Sequence, residues 1–174
     1  MILLEKFTED DFEHFISWMD TEKFMSQFGG ASFSFPVTQE QLKKYVADSA
    51  NRIYRVVDSA TGKVIGHASI SHHNVKNKSA RLCRILIAKE QDRSKGYGRQ
   101  LIRALLKICF EELALHRVDL GVFEYNKAAI RCYQSCGFRI EGTLRESFVI
   151  DDEYYSVHNM SVLDREYVTL TTSN

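Results

Sequence analysis

The chain has 174 residues, of which 44% are hydrophobic and 26% charged, with Lys+Arg and Asp+Glu both at 23. That length suits one domain, residues 1–174, with a sizeable core. The charge balance argues against a general nucleic-acid or membrane-surface binder, where a basic excess is expected. No apolar run approaches the ~18–20 residues that cross a bilayer, and MILLEKFTED lacks the basic and long apolar parts of a signal peptide.

Taken in chain order, T-E-D-D at Thr8 is a capping box that predicts a helix through about Met19. The segment GGASFSFPVT around Pro36, the single proline, predicts a loop between two helices. T-Q-E-Q at Thr38 is a second box, with Leu42, Tyr45 and Val46 on one helical face. The period then changes to two: residues 53–58 and 63–70, joined by SATG, predict a β-hairpin, and ARLCRILIA (80–88) another strand. Leu101, Leu105, Cys109 and Leu113 stand at helical spacing over residues 97–114. HRVDLGVF (116–123) predicts a strand, Asn126 caps a short helix through Ser135, and Gly137 supplies its left-handed stop. FRIEG, ESFVI and YYSVHNMSVL predict strands, the last two joined by the turn DDE. The order α-α-β-β-β-α-β-α-β-β-β predicts an α/β fold with a mixed sheet and helices on its faces.

Four cysteines (Cys83, Cys109, Cys132, Cys136) form no CxxC pair, which predicts reduced thiols in a cytoplasmic protein. Cys132 and Cys136 share a helix face, but no His pair stands at ligand spacing, so no metal is expected.

Between strand and helix lies KEQDRSKGYG. Helix starts leave N–H groups unpaired and carry partial positive charge, and glycines let backbone approach a ligand. With Arg93, Lys95 and Arg99 alongside, the natural ligand is a phosphate or pyrophosphate. The Walker pattern and the full dinucleotide fingerprint are both absent. Taken alone, Gly96-Tyr97-Gly98 is equally a plain strand-to-helix turn.

Arg93-Ser94-Lys95-Gly96-Tyr97-Gly98, as R-x-x-G-x-G, resembles the pyrophosphate loop of the GNAT acetyltransferase superfamily. A second stretch, NKAAIRCYQSCGF (126–138), resembles that family's N-x-x-A-I-x-x-Y-x-x-x-G-F at Asn126, Ala129, Ile130, Tyr133, Gly137 and Phe138. The tail EGTLRESFVIDDEYYSVHNMSVL is similar to the family's ending. The resemblance runs from about residue 52 to 163 and points, within the family, to the ribosomal-protein N-terminal and spermidine acetyltransferase group. It implies a central mixed, mostly antiparallel sheet in which two parallel strands, ARLCRILIA and HRVDLGVF, splay apart around acetyl-CoA. It implies that the backbones of Leu86 and Ile87 hold the pantetheine arm, that residues 93–98 (Arg93, Ser94, Lys95, Gly96, Tyr97, Gly98) with Arg99 hold the pyrophosphate, and that Asn126 and Ala129 contact the cofactor at the next helix. A backbone N–H of the first splayed strand is then an oxyanion donor. A neutral amine attacks the thioester, and Tyr133 protonates the departing thiolate; at helix spacing alone Tyr133 reads equally as a packing residue.

Relatives often carry a Glu on the first splayed strand, whereas here Leu82 or Cys83 stands there and ARLCRILIA has no carboxylate. The amine's proton then goes to Glu124, to His72 or His73 through water, or the amine reacts already neutral. A polyamine site needs carboxylates, and SQFGGASFSFP has none, although Asp48, Asp151, Asp152 and Glu153 lie elsewhere. Phe24, Phe28, Phe33 and Phe35 either line an apolar substrate wall or pack the N-terminal helices. The expected function is therefore an acetyl-CoA-dependent N-acetyltransferase acting on a small-molecule or peptide amine, with no nucleic-acid or membrane partner and with self-association as a homodimer. The alternative is a non-catalytic acyl-CoA-binding sensor.

Overall fold

A computed structural model describes residues 1–29, 32–93 and 95–167. Its strands are β1 (Ile2–Lys6), β2 (Arg52–Asp58), β3 (Val64–Asn74), β4 (Ser79–Ile87), β5 (Arg117–Phe123), β6 (Arg139–Ile150) and β7 (Glu153–Leu163). Its α-helices are α1 (Phe12–Trp18), α2 (Glu22–Gly29), α3 (Gln39–Ala47), α4 (Tyr97–Lys107) and α5 (Lys127–Gln134). The strands form one sheet ordered β1-β2-β3-β4-β5-β7-β6. Every neighbouring pair is antiparallel except β4 and β5. This is the mixed, mostly antiparallel sheet expected from the sequence. Among the described residues no helix is long and apolar enough to cross a membrane.

Local signals account for most elements. The Thr8 capping box forms with Asp11, although its first turn is a 3-10 turn over Glu9–Asp11. Thr38 accepts from the Gln41 N–H at 3.3 Å. The β2–β3 hairpin turns through Gly62 at φ +70°, where glycine avoids the Cβ clash. The helix expected over 97–114 is α4 followed by a π-turn, Ile108–Glu112.

The sequence leaves two elements unassigned, and one assignment fails. MILLEK, read only as a short apolar start, is the edge strand β1. Residues 22–29, for which the sequence reading predicts no helix, are helix α2, whose Phe24 N–H bonds to Thr21 Oγ1 at 3.2 Å. FRIEG and ESFVI are one strand, β6, interrupted by a register shift between Leu144 and Phe148 with Glu146 at φ +49°.

The sheet has a core on each face. On one side Leu101, Ile102, Leu105 and Leu106 of α4, each at most 1% exposed, pack with α5 residues on Ala68, Ile70, Leu82, Val118 and Leu120. Burial of each such side chain contributes about 1.5–3 kcal/mol. On the other side α1, α2 and α3 pack Phe12, Phe15, Met25, Leu42 and Tyr45 on Phe7, Ile53 and Leu86. Phe24, Phe28 and Phe33 belong to this second core, so they pack the N-terminal helices; Phe35 is 41% exposed.

Candidate active site

The site begins where β4 and β5 part. The parallel pair is in register only at Ser79–Arg81 with Arg117–Asp119. Beyond that β4 runs on to Ile87 and β5 to Phe123 without pairing, which opens a V. Two features fix the branch point. Arg81 donates to Asp119 Oδ1 and, at 3.3 Å, to Asn159 Oδ1, clasping the closed end of the V. A β-bulge then turns β4: Ser69 faces Cys83 but His67 faces Leu86, and the extra residue puts Arg84 at φ +52°.

The bulge sets which backbone groups face the opening. Ala88 N–H bonds to Ile65 C=O at 2.9 Å, and antiparallel alternation turns Leu86 to β3 in the same way. Gly66 fits there only because it lacks a side chain: a Cβ would lie 2.1 Å from the Leu86 carbonyl oxygen. Leu86 is therefore turned away from the V, whereas Ile87 and Ile85 face it. Ile85 escaped the sequence reading because strand parity after a bulge is not legible without the bulge. Arg93 also departs from the expected role. Its Nε and Nη2 donate to the carbonyls of Ile87 (3.1 Å) and Ala88 (2.9 Å), and its N–H bonds to Glu90 C=O. The side chain braces the end of β4 instead of presenting a free cation to an anion.

Helix α4 begins beyond this brace. Gly96 is its N-cap at φ +81°, no side chain caps it, and the first in-helix bond is Gln100 N–H to Gly96 C=O at 3.1 Å. The amides of Tyr97, Gly98 and Arg99 are thus the open N–H groups of the helix start, at the positive end of its dipole. Lys95 pairs with Asp92 at 3.0 Å, and Arg99 Nε donates to Ser135 Oγ at 3.1 Å, which ties α4 to α5. Ser94 lies outside the described residues. An open helix start with two cations beside it fits an anionic pyrophosphate.

Helix α5 follows β5 directly, with Asn126 N–H bonded to Phe123 C=O at 2.9 Å. Asn126 Oδ1 accepts from Ala129 N–H at 3.2 Å, so the Ala129 amide is spent on the cap and only the Asn126 amide nitrogen remains to meet a ligand. Asn126→Ala is expected to cost about 0.5–2 kcal/mol of stability, measured by urea unfolding. Tyr133 lies on the buried face of α5, 9% exposed, with its ring 6.1 Å from that of Phe138. Its hydroxyl makes no hydrogen bond among the described residues, and burial pushes its pKa up. The group is a neutral phenol with a proton to give.

The opposite side of the V, under the N-terminal helices, carries Ser69, Ser71, Cys83 and Arg84, with Asp119 and Gly121 on β5. At the open end Phe123, Tyr125, Phe148 and Tyr155 form an aromatic cluster, with Lys23 5.9 Å from the Tyr155 ring centroid. Glu124 is exposed there, in an open groove of about 470 Å³ shared with Lys23, Lys127, Tyr154 and Ser156. Its N–H is fixed to Ser156 C=O at 2.9 Å. His72 and His73 are exposed at the far end of β3. The open edge of β4 offers no carboxylate: Leu82 is core, and the Cys83 thiol is pushed up in pKa by burial.

Known proteins are similar to this chain in sequence and in fold. The acetyltransferase (GNAT) family matches residues 8–138. A spermidine N(1)-acetyltransferase of Vibrio cholerae is 36% identical over 135 residues, covering 78% of this chain and 76% of the relative. An L-amino acid N-acetyltransferase of Escherichia coli is 28% identical over 109 residues, covering 63% of this chain and 67% of the relative. The crystal structure of the Vibrio cholerae spermidine N-acetyltransferase with CoA and spermine superposes with a TM-score of 0.83 at 28% identity, covering 96% of this chain and 98% of that one. The chain belongs to the acetyltransferase (GNAT) family and is an N-acetyltransferase with acetyl-CoA as its co-substrate.

Proposed function

We propose that this protein acetylates the primary amine of a small molecule or peptide by direct attack on the thioester, with Tyr133 as proton donor to the departing thiolate. The observation that carries the reading is the V itself: strands that pair at Ser79–Arg81 and then diverge, followed in the chain by a helix start that no side chain caps among the described residues. Acetyl-CoA supplies the activated acetyl group. The amides of Tyr97, Gly98 and Arg99 hold its pyrophosphate, the edge groups of Ile85 and Ile87 line up with the pantetheine arm, and the Asn126 amide nitrogen reaches the same arm. Water displaced from the V by the cofactor leaves a lower local dielectric, which strengthens each of these hydrogen bonds.

The amine reaches the thioester from the face of the N-terminal helices. Glu124, exposed at the open end, takes the ammonium proton through water. Glu124→Gln is expected to lower kcat/KM about tenfold or more at neutral pH and less at alkaline pH, where the amine is already neutral; an equal loss at every pH gives the residue a different role. The exposed edge strand β6, with Ile140, Leu144 and Val149 between 42% and 53% exposed, is the face for self-association, tested by sedimentation.

Thiol release from acetyl-CoA, measured over amino acids, peptides, polyamines and amino sugars alongside a CoA titration, tests the proposal: release confined to small primary amines or peptides supports it, and CoA binding with no release from any of them overturns it.

A further inference from the structure

We infer that Arg84 is a specificity residue that reads a carboxylate on the acceptor, so the preferred acceptors are amino acids and not polyamines. The inference rests on the acetyltransferase reading and deepens it. Arg84 stands at the bulge, where β4 leaves β5, and its side chain lies on the acceptor face. Nη1 donates to Ser69 Oγ at 3.0 Å and Ser71 Oγ at 3.4 Å, Nη2 donates to Ser32 Oγ at 2.7 Å, and the guanidinium carbon is 4.4 Å from the Tyr45 ring centroid. Nε is buried without a partner among the described residues.

The arrangement is unusual in its charge. Other arginines that reach across this sheet close on carboxylates: Arg55 on Glu5 and Asp11, Arg81 on Asp119, Arg117 on Glu141. Arg84 meets only hydroxyls and ring faces, and no carboxylate pairs with it among the described residues. Ser69 and Ser71, at 0% and 2% exposure, are fixed in the strand and hold the guanidinium in one place. A partly buried cation held by neutral groups lacks its counter-charge. An acceptor carboxylate supplies it, and bidentate charge-assisted bonds to guanidinium are the matching chemistry. The amine of an amino acid lies two bonds from its carboxyl carbon, which suits a guanidinium placed one residue from the backbone edge at the opening. A polyamine brings two or more ammonium groups to a face that carries the Arg84 guanidinium, where Asp119 is already clasped by Arg81 and Asp11 by Arg55, and Glu124 shares its groove with Lys23. Like charge there disfavours binding.

The test compares amino acids with their own primary amides, and with spermidine, for wild type, Arg84→Gln and Arg84→Lys. The α-amine of an amide has a pKa near ~8, below that of the free amino acid, so ionisation alone favours the amide. Wild type is expected to prefer the acid by about ten- to a hundredfold in kcat/KM, through KM. Arg84→Gln is expected to bring the ratio towards one, and Arg84→Lys to keep part of it, with CoA affinity and thermal unfolding checking that each variant is folded. The wild-type ratio tests the inference even where a variant does not fold. Equal use of acids and amides, or a preference for spermidine, overturns the carboxylate role and leaves the N-acetyltransferase standing. CoA binding with no transfer to any amine overturns both.

Discussion

Tyr133→Phe is expected to lower the rate of acetyl transfer by about 10²- to 10⁴-fold, the usual contribution of a positioned general acid, while CoA affinity stays as in wild type. The change removes one oxygen. That oxygen has no hydrogen-bond partner among the described residues, so its loss leaves no orphaned donor behind and folding is expected to be unaffected or slightly improved. The chemical loss is larger because a CoA thiolate, with a thiol pKa of about 8.5, leaves from a site where a bare anion is poorly solvated. Burial raises the Tyr133 pKa, which has two consequences. The phenol is fully protonated throughout the working pH range, and any phenolate formed recovers a proton at once. The rate should therefore show no ionisation of Tyr133 below the alkaline range. The effect belongs in kcat, with KM for acetyl-CoA unchanged, as for a group acting only in the transition state. Full activity of the variant would return Tyr133 to a packing role against Phe138.

Much of this geometry is written locally in the chain. Thr38, Asn126 and Gly62 act through neighbours within a few residues, and each does what its type and spacing require. The family motifs at 93–98 and 126–138 are also local. What stayed hidden depends on distant partners. β1 is too short for a period to emerge, and it becomes a strand because β2, some fifty residues later, pairs along it and Arg55 closes on Glu5 at 2.7 Å. α2 carries its own cap at Thr21, but the nearby glycines and phenylalanines read as a loop. The bulge at Arg84 has no sequence signature, since a non-glycine residue at positive φ is imposed by surrounding packing. That one feature decides that Ile85 and Ile87, not Leu86, face the opening. Arg93 shows the complementary limit: its type suggested an anion ligand, and only the position of the β4 carbonyls reveals a brace.

His67 sets the largest expected pH effect on stability. Its ring is fully buried, with centroids 4.9 Å from Phe15, 5.0 Å from Phe7, 5.8 Å from Phe28 and 5.9 Å from Tyr45. Nδ1 lies 3.1 Å from the Arg84 carbonyl, which can only accept, so Nδ1 carries the proton and Nε2 is bare, with no partner among the described residues. Burial, reinforced by the positive charge of Arg84, lowers its pKa to about 3. An unfolded histidine titrates near ~6.5. Between these values the unfolded chain binds the extra proton, so the stabilisation is fully present above about pH 6.5 and is lost as pH falls towards the folded value. By about pH 5 the loss from this one group is on the order of 2 kcal/mol. His67→Phe keeps an aromatic ring in the box and removes the titration. At neutral pH it is expected to cost about 1–2 kcal/mol, because the Arg84 carbonyl loses its donor. At about pH 5 that deficit is expected to vanish, with urea unfolding curves at several pH values following the convergence. Parallel stability profiles for the two proteins would mean that His67 is not held neutral.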